Sequence, residues 1–406
     1  MVPCRQSMDA SVNSEPDVAL VHDYLLVMRG AERVFAQIAA LWPAAPIYTL
    51  LYDEAAMNSG FSGRRVQTSG LQRLGVQQHS FRRLLPLFPR AAASLSTGDF
   101  DLLVSSSSAF AHGVERRADA QHVCYCHTPF RYAWQDYGRA TTNVSPVARP
   151  VVRRTLSRVR TWDRRAAARV SHYVANSELT RQRIEEFWGR ESVVVNPPVE
   201  VDRFHIGEPE DYFLVVAELV RHKQVEIALE AAAQAAQRIK IVGEGPEFKR
   251  LRGMYGSTAE FLGRVSDKRL SELYAACRAL IVPNVEEFGI AAVEAQASGR
   301  PVVAASVGGA CETVIDGETG VLITPGNVGV LAEALAQIDF EKFSPERMRS
   351  HAQQFAPPFF ARKFADAVEE LTGVRPPAAP VPLTRADASA TGRGGRASTE
   401  RSSRGS

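Results

Sequence analysis

From Val18 onward, short apolar runs alternate with longer stretches in which apolar residues recur every three or four positions. VALVHDY, IYTLLYD, FDLLVSSSS, HVCYCHT, SHYVANS and SVVVNPPV have the length and composition of strands, whereas AERVFAQIAALW has helical spacing. The consecutive prolines of NPPV end regular structure. The same grammar then restarts. YFLVVAEL, RIKIVGEG, RALIVPN and PVVAAS predict strands, VEIALEAAAQAA, FKRLRGMYG, KRLSELYAAC and GIAAVEAQASG predict helices, and AEFLGRV and GVLITPG complete the series. Strands alternating with helices imply parallel sheets built from βαβ units. Two such series predict an α/β protein of two Rossmann-like domains, residues 17–200 and 201–357, facing across a cleft. A last amphipathic helix lies within APPFFARKFADAVEELTG. The leader 1–16 and the Pro-, Gly-, Ser- and Arg-rich tail 373–406 have little to bury and are expected to be disordered.

Bulk properties narrow this picture only slightly. A length of 406 residues favours two cores over one, and 45% hydrophobic with 23% charged residues is ordinary for a globular chain. A formal net charge of +3 does not by itself point to nucleic acid, and no recognition motif accompanies the basic stretches. No run of eighteen apolar residues exists, so no spanning helix is expected, and the N-terminus lacks the apolar core of a secretory signal. Cys4, Cys124, Cys126, Cys277 and Cys311 are odd in number and show no CxxC spacing, which fits reduced thiols in a cytoplasmic protein. In that compartment the Asn143-Val144-Ser145 sequon carries no meaning.

In open parallel sheets, ligands bind beyond the carboxyl ends of the strands. Asp99-Phe100-Asp101 precedes its strand and so lies at the wrong end for a metal clamp. Gly243-Glu244-Gly245 lies at the right end, where a tight structural turn explains it equally well. VEEFGIAAVEA fits best: Glu286 lies in the loop after RALIVPN, and Glu294 about one and a half turns into the following helix. The free N–H groups near Gly289 and Ile290 favour an anion, and Gly289 lets a diphosphate approach. Arg221 and Lys223 follow the first strand of the second series, and Gly30 lies in the first strand-to-helix loop. His127 ends the strand HVCYC before Thr128-Pro129, while His22 is open to either a structural or a functional role.

EEFGIAAVEA, followed by SGRPVVA and GGACETVIDGETGVLITPG, resembles the retaining glycosyltransferases of family 4, which have the GT-B fold. VHDYLLVMRGAERVF, YCHTPFRYAW, VANSELTRQRI and NPPVEVDRF extend the likeness over about residues 17–372. Within that family the chain is most similar to bacterial polysaccharide and O-antigen mannosyltransferases. The resemblance implies a metal-independent enzyme without a cofactor, acting on a nucleotide-sugar such as GDP-mannose. It implies that Glu294 binds the ribose and Glu286 the transferred sugar, while Phe288, Gly289 and Ile290 meet sugar and diphosphate. Lys223 would bind the diphosphate, Arg264 and Val265 would lie against the nucleobase, and His127 would contact donor sugar or acceptor. The last helix, 358–372, would cross back to the first domain. Many relatives carry a diphosphate-binding Arg where this chain has Glu218, and Arg221 is the candidate to supply that charge. A sugar phosphorylase or epimerase of the same fold, or a non-catalytic glycan-binding partner, are the competing readings.

Residues 63–91 carry Arg64, Arg65, Arg73, Arg82, Arg83 and Arg90 among Leu and Phe, with no acidic residue, and 149–165 holds a second basic cluster. Basic residues beside apolar ones suit an anionic membrane surface. The expectation is peripheral docking at the inner face of the plasma membrane, where a lipid-linked glycan acceptor would be met.

Overall fold

The computed structural model describes residues 16–75, 81–142 and 144–379. The first sheet contains β1 (Val18–Leu25), β2 (Ile47–Tyr52), β3 (Val66–Thr68), β4 (Leu102–Ser107), β5 (Gln121–Cys126), β6 (His172–Ala175) and β7 (Val193–Val194). Its strands are all parallel in the order β3-β2-β1-β4-β5-β6-β7, with Leu20 level with Ile47 on one side and Val104 on the other. The second sheet holds β8 (Phe213–Val216), β9 (Ile239–Val242), β10 (Ala259–Gly263), β11 (Ala279–Val282), β12 (Val302–Ala305) and β13 (Gly320–Ile323), parallel in the order β10-β9-β8-β11-β12-β13. The chain is thus an α/β protein of two Rossmann-like units.

Both faces of each sheet are covered, which is why the strands read as continuous apolar runs. Leu20 joins one core with Phe35, Ile38 and Tyr125, while its neighbours Ala19 and Val21 join the core on the other face with Phe88 and Phe110. The second sheet is clad likewise, with Leu280 on one side and Ile281 on the other. In each sheet the strand order reverses once, between β1 and β4 and between β8 and β11. Connections leave these strands in opposite directions, opening a crevice at their carboxyl ends.

The helix Pro357–Thr372 sends Phe360, Phe364 and Val368 into the first-sheet core, where Phe364 meets Trp42 edge-on with ring centroids 6.4 Å apart. The expected tail begins later than residue 373. Val374 and Ala379 pack against the same core, and the Ala378 N–H donates to the Leu41 carbonyl at 3.2 Å. The remaining expectations for leader and tail, and that for Asn143, lie outside the described residues. No helix among the described residues is long and apolar enough to cross a membrane.

Two other expectations are revised, for SVVVNPPV and for Arg64, and the second basic cluster takes a definite form. SVVVNPPV forms a strand of just Val193–Val194, extended by the Val195 N–H to the Ala175 carbonyl at 2.9 Å, and it ends before Pro197 and Pro198, which carry no N–H for a ladder. The basic cluster at 149–165 is a long helix, Arg149–Ala167, whose buried residues include only a few apolar ones, Leu156, Val159, Ala166 and Ala167. Arg64 is not part of a free basic face. Its guanidinium donates to the carbonyls of Ala39 (3.0 Å), Trp42 and Ala45 (both 2.8 Å), closing the C-terminal end of the helix Gly30–Leu41. That helix has no basic residue in its own last turn, so a distant arginine satisfies its free carbonyls.

Candidate active site

A cavity of about 370 Å³ lies at the carboxyl ends of both sheets. The first unit contributes Gly30 and Ala31 after β1, Ser108 after β4, His127 and Thr128 after β5, and Asn176 after β6. The second contributes the end of β8 with Glu218, Lys223, the end of β11, and Glu286 through Ala291. Gly30 faces Ile290 across the cleft so closely that an added Cβ would stand 3.3 Å from Ile290 Cδ1.

Glu286 and Lys223 form the charged centre of this wall. Lys223 Nζ reaches both carboxylate oxygens, at 2.7 and 2.6 Å, and each side chain is about one-fifth exposed. The loop is fixed from behind. The Gly309 N–H donates to the Glu286 carbonyl at 2.8 Å, and a Cβ at Gly309 would fall 2.3 Å from Phe288 Cα. Phe288 is buried against Phe355. Gly289 caps the helix Ile290–Ala297 at φ 97°, a conformation strained for any other residue.

His127 stands opposite. Its Nε2 is 2.8 Å from Ser106 Oγ, and its carbonyl accepts from Thr180 Oγ1 at 3.1 Å. Burial, aided by the nearby His22, pushes its pKa down to about 3, so the ring is neutral at physiological pH. His122, bonded to Ser105 and fully buried, is also pushed down to about 3, mainly by burial. Both histidines bind protons more readily unfolded than folded. Their contribution to stability is therefore complete above pH ~6.5 and is lost as pH falls toward 3. Each is expected to steepen the loss by up to ~1.4 kcal/mol per pH unit. Urea unfolding at pH 7.5 and 5.0 checks this: His122→Gln is expected to flatten the pH dependence, and an unchanged slope would contradict it.

Beneath this wall, Asp23 at the end of β1 is buried and accepts the N–H groups of Ser108 (2.5 Å), Ala111 (2.6 Å) and Phe110 (2.7 Å). The turn after β4 is thereby wrapped around one carboxylate, which places Ser108 at the cavity.

The structure brings Gly30, His127, Lys223, Glu286, Phe288, Gly289 and Ile290 around one space. It does not bring the others there. Glu294 lies outside the cavity lining, where its carboxylate accepts the Tyr274 hydroxyl at 2.8 Å. Burial raises its pKa against the opposing pull of that bond and of Arg203 and Arg33. Arg264 is exposed beyond β10, and Val265 packs against the core. Gly243 serves sterics: at φ 137°, a Cβ would sit 1.8 Å from the Ala217 carbonyl oxygen. Arg221 is not among the residues that line the cavity, and its guanidinium meets Glu247 at 3.3 Å. Glu218 instead meets Arg29 of the opposite unit at 3.1 Å.

Sequence reasoning missed Glu287, half of the quoted Glu286-Glu287 pair. Its carboxylate contacts Arg131 and lies 2.8 Å from Arg183, both from the first unit. Burial pushes its pKa up, but Arg131, Arg183 and Lys223 together outweigh this and the net shift is downward. Arg131 lies in HTPFRY and Arg183 in ELTRQRI, but their convergence has no signal in spacing. Among the described residues, no group of three or more His, Cys, Asp or Glu is arranged to hold a metal ion.

Comparison with known proteins agrees with this architecture. Residues 28–203 match the family model described as Glycosyltransferase Family 4, and residues 199–355 that described as Glycosyl transferases group 1. D-inositol 3-phosphate glycosyltransferase 2 of Catenulispora acidiphila is 29% identical over 249 residues, covering 50% of this chain and 57% of that protein. D-inositol 3-phosphate glycosyltransferase of Mycobacterium leprae is 37% identical over 169 residues, 36% of this chain and 40% of that protein. The chain spans about half the length of the curated relatives it matches. Sucrose-phosphate synthase from Thermosynechococcus elongatus superposes with a TM-score of 0.66 at 19% identity, covering 89% of this chain and 100% of that one. HepE of Anabaena, solved in complex with UDP-glucose, gives 0.65 at 21% identity, covering 87% and 99%. These likenesses establish the GT-B fold.

Proposed function

From a GT-B chain of the family-4-like type, we propose that this protein transfers a glycosyl group from a nucleotide-sugar to a glycan acceptor, with retention of configuration. The observation that carries this reading is the pairing of Glu286 with Lys223 beside the helix start at Gly289, opposite a neutral His127. An entering donor divides the pair. Lys223 turns to the diphosphate as the leaving charge develops, and Glu286 accepts hydroxyls of the sugar. Charge placed in advance where the transition state needs it lowers the barrier. The backbone N–H groups after Gly289 add to this, and Gly289 leaves room for the phosphates. Neutral His127, held through Nε2 by Ser106, hydrogen-bonds sugar or acceptor but brings no positive charge. Phe288 shapes the loop, and Ile290 meets Gly30 across the site. In this reading Glu294 binds the ribose by exchanging its Tyr274 contact, and Arg264 and Val265 border the base.

The resemblance to polysaccharide and O-antigen mannosyltransferases favours GDP-mannose as donor and a lipid-linked glycan as acceptor. Calorimetric titration with GDP-mannose, UDP-glucose and UDP-N-acetylglucosamine tests the donor. Tightest binding and turnover with GDP-mannose are expected, and a preference for a UDP-sugar would reassign it.

The acceptor is met at an anionic membrane. Support comes from the exposed Arg65, Arg73 and Arg90 near Leu74 and Leu87, and from Arg153, Arg154 and Arg158 near Val147 and Val151. Val151, 68% exposed, shares the helix Arg149–Ala167 with arginines that can meet headgroups, and Val147, 89% exposed, lies just before it. The side chains of Arg82 and Arg83 lie outside the described residues. Anionic liposomes are expected to retain the protein at low salt and release it at high salt. Failure to co-sediment at low salt would remove the membrane from this reading.

A further inference from the structure

Glu286 and Glu287 are adjacent in one loop but bind opposite halves of the molecule. Glu286 turns to Lys223 of its own unit. Glu287 turns to Arg131 and Arg183 of the other, one on the segment that follows His127 and one on the helix Glu178–Trp188. Arg183 also approaches Thr128 Oγ1 at 3.5 Å, and Gln135 Nε2 donates to the same hydroxyl at 3.2 Å. All three charged side chains are largely buried, with 14 to 21% exposure. An ion pair shielded in this way is harder to screen than a surface pair, and losing one partner leaves charge unbalanced in a low-dielectric space. His222 also faces this group, with Asp136 nearby.

We propose that Glu287 is a positioning residue, whose bridge to Arg131 and Arg183 sets the loop carrying Glu286 against the strand end carrying His127. The two sides of the cavity belong to separate sheets, and their spacing depends on contacts that cross the cleft. Glu287 is the crossing contact closest in sequence to both: one residue from Glu286, and tied to a partner four residues after His127. The two guanidiniums give the carboxylate direction as well as charge, since each approaches from a different element. Opening the cleft breaks this bridge and separates His127 from Glu286 in one motion.

The catalytic consequence rests on the glycosyl-transfer reading; the bridge itself does not. The test compares wild type with Glu287→Gln, Arg183→Gln and the double variant. Readouts are backbone hydrogen exchange in 127–131 and 284–290, kcat, donor KM and the thermal midpoint. Glu287→Gln is expected to speed exchange in both segments by about tenfold and to lower kcat by ~10–100-fold, with donor KM within about threefold. The double variant is expected to be no worse than the worse single change, the mark of one shared interaction. Should Glu287→Gln fail to fold, Arg131→Lys, which keeps the charge but loses the guanidinium fork, is expected to show the same coupled exchange. Wild-type exchange in both segments, or single effects that simply multiply, would overturn the bridge. Coupled exchange in a wild-type chain that turns over no sugar nucleotide would uphold the bridge and sink the glycosyl-transfer reading alone.

Discussion

Glu286→Ala is expected to lower sugar transfer by about a thousandfold while the protein remains folded. Among the described residues the side chain is bound by Lys223, at 2.6 and 2.7 Å, and both groups open onto the cavity. Its loop is held by other means: the Gly309 N–H on the Glu286 carbonyl, the burial of Phe288, and the Glu287 contacts. Truncation therefore spares the backbone but leaves Lys223, about one-fifth exposed, without its counter-charge, so a stability loss of up to ~3 kcal/mol accompanies a chain that still folds. Steady-state transfer kinetics with a melting curve of the same preparation check this. A folded variant with wild-type turnover would exclude Glu286 from the chemistry.

Asp23→Ala is expected to produce the largest loss of stability of any single change near the site. Three backbone N–H groups, of Ser108, Phe110 and Ala111, converge on this carboxylate, and its side chain is almost wholly enclosed. Without it they stay buried and unsatisfied, at about 1–3 kcal/mol each and not fully additive. A total of ~3–5 kcal/mol is the expected loss. Urea unfolding monitored in the first unit measures it. Asp23→Asn keeps an acceptor oxygen and is expected to recover part of the loss. A cost below ~1 kcal/mol for Asp23→Ala would show that the turn after β4 holds itself. Because Ser108 follows from this turn, the same variant is also expected to weaken transfer.

Much of the fold was legible because short apolar runs and 3.6-period stretches record which faces are buried. β11 and β12 are buried along their whole length and read as apolar runs, while β4, equally buried, ends in three serines. The helix Arg149–Ala167 carries Val152, Leu156, Val159, Trp162 and Ala166 at helical spacing among its arginines, so its buried face follows the 3.6 period although that face also encloses Asp163. Trp134 and Trp188 both donate their indole N–H groups to Oδ2 of that carboxylate, each at 2.7 Å, which no local pattern announces. Arg64 was misplaced for a similar reason: its partners are carbonyls at the end of another helix, 19 to 25 residues away.

The sequence by itself determined two parallel sheets of Rossmann-like type, and that the loop after RALIVPN stands at a strand's carboxyl end, where it lines the cavity. These are local properties: hydrophobic period, glycine conformation, and the place of a polar loop between strand and helix. Only the tertiary structure decided which charges meet. It paired Glu286 with Lys223, turned Arg221 away to Glu247, set Arg29 against Glu218, and joined Glu287 to Arg131 and Arg183. Electrostatic partners are chosen by distance and burial in the folded chain, and residues separated by 26 to 189 positions carry no pattern that records it.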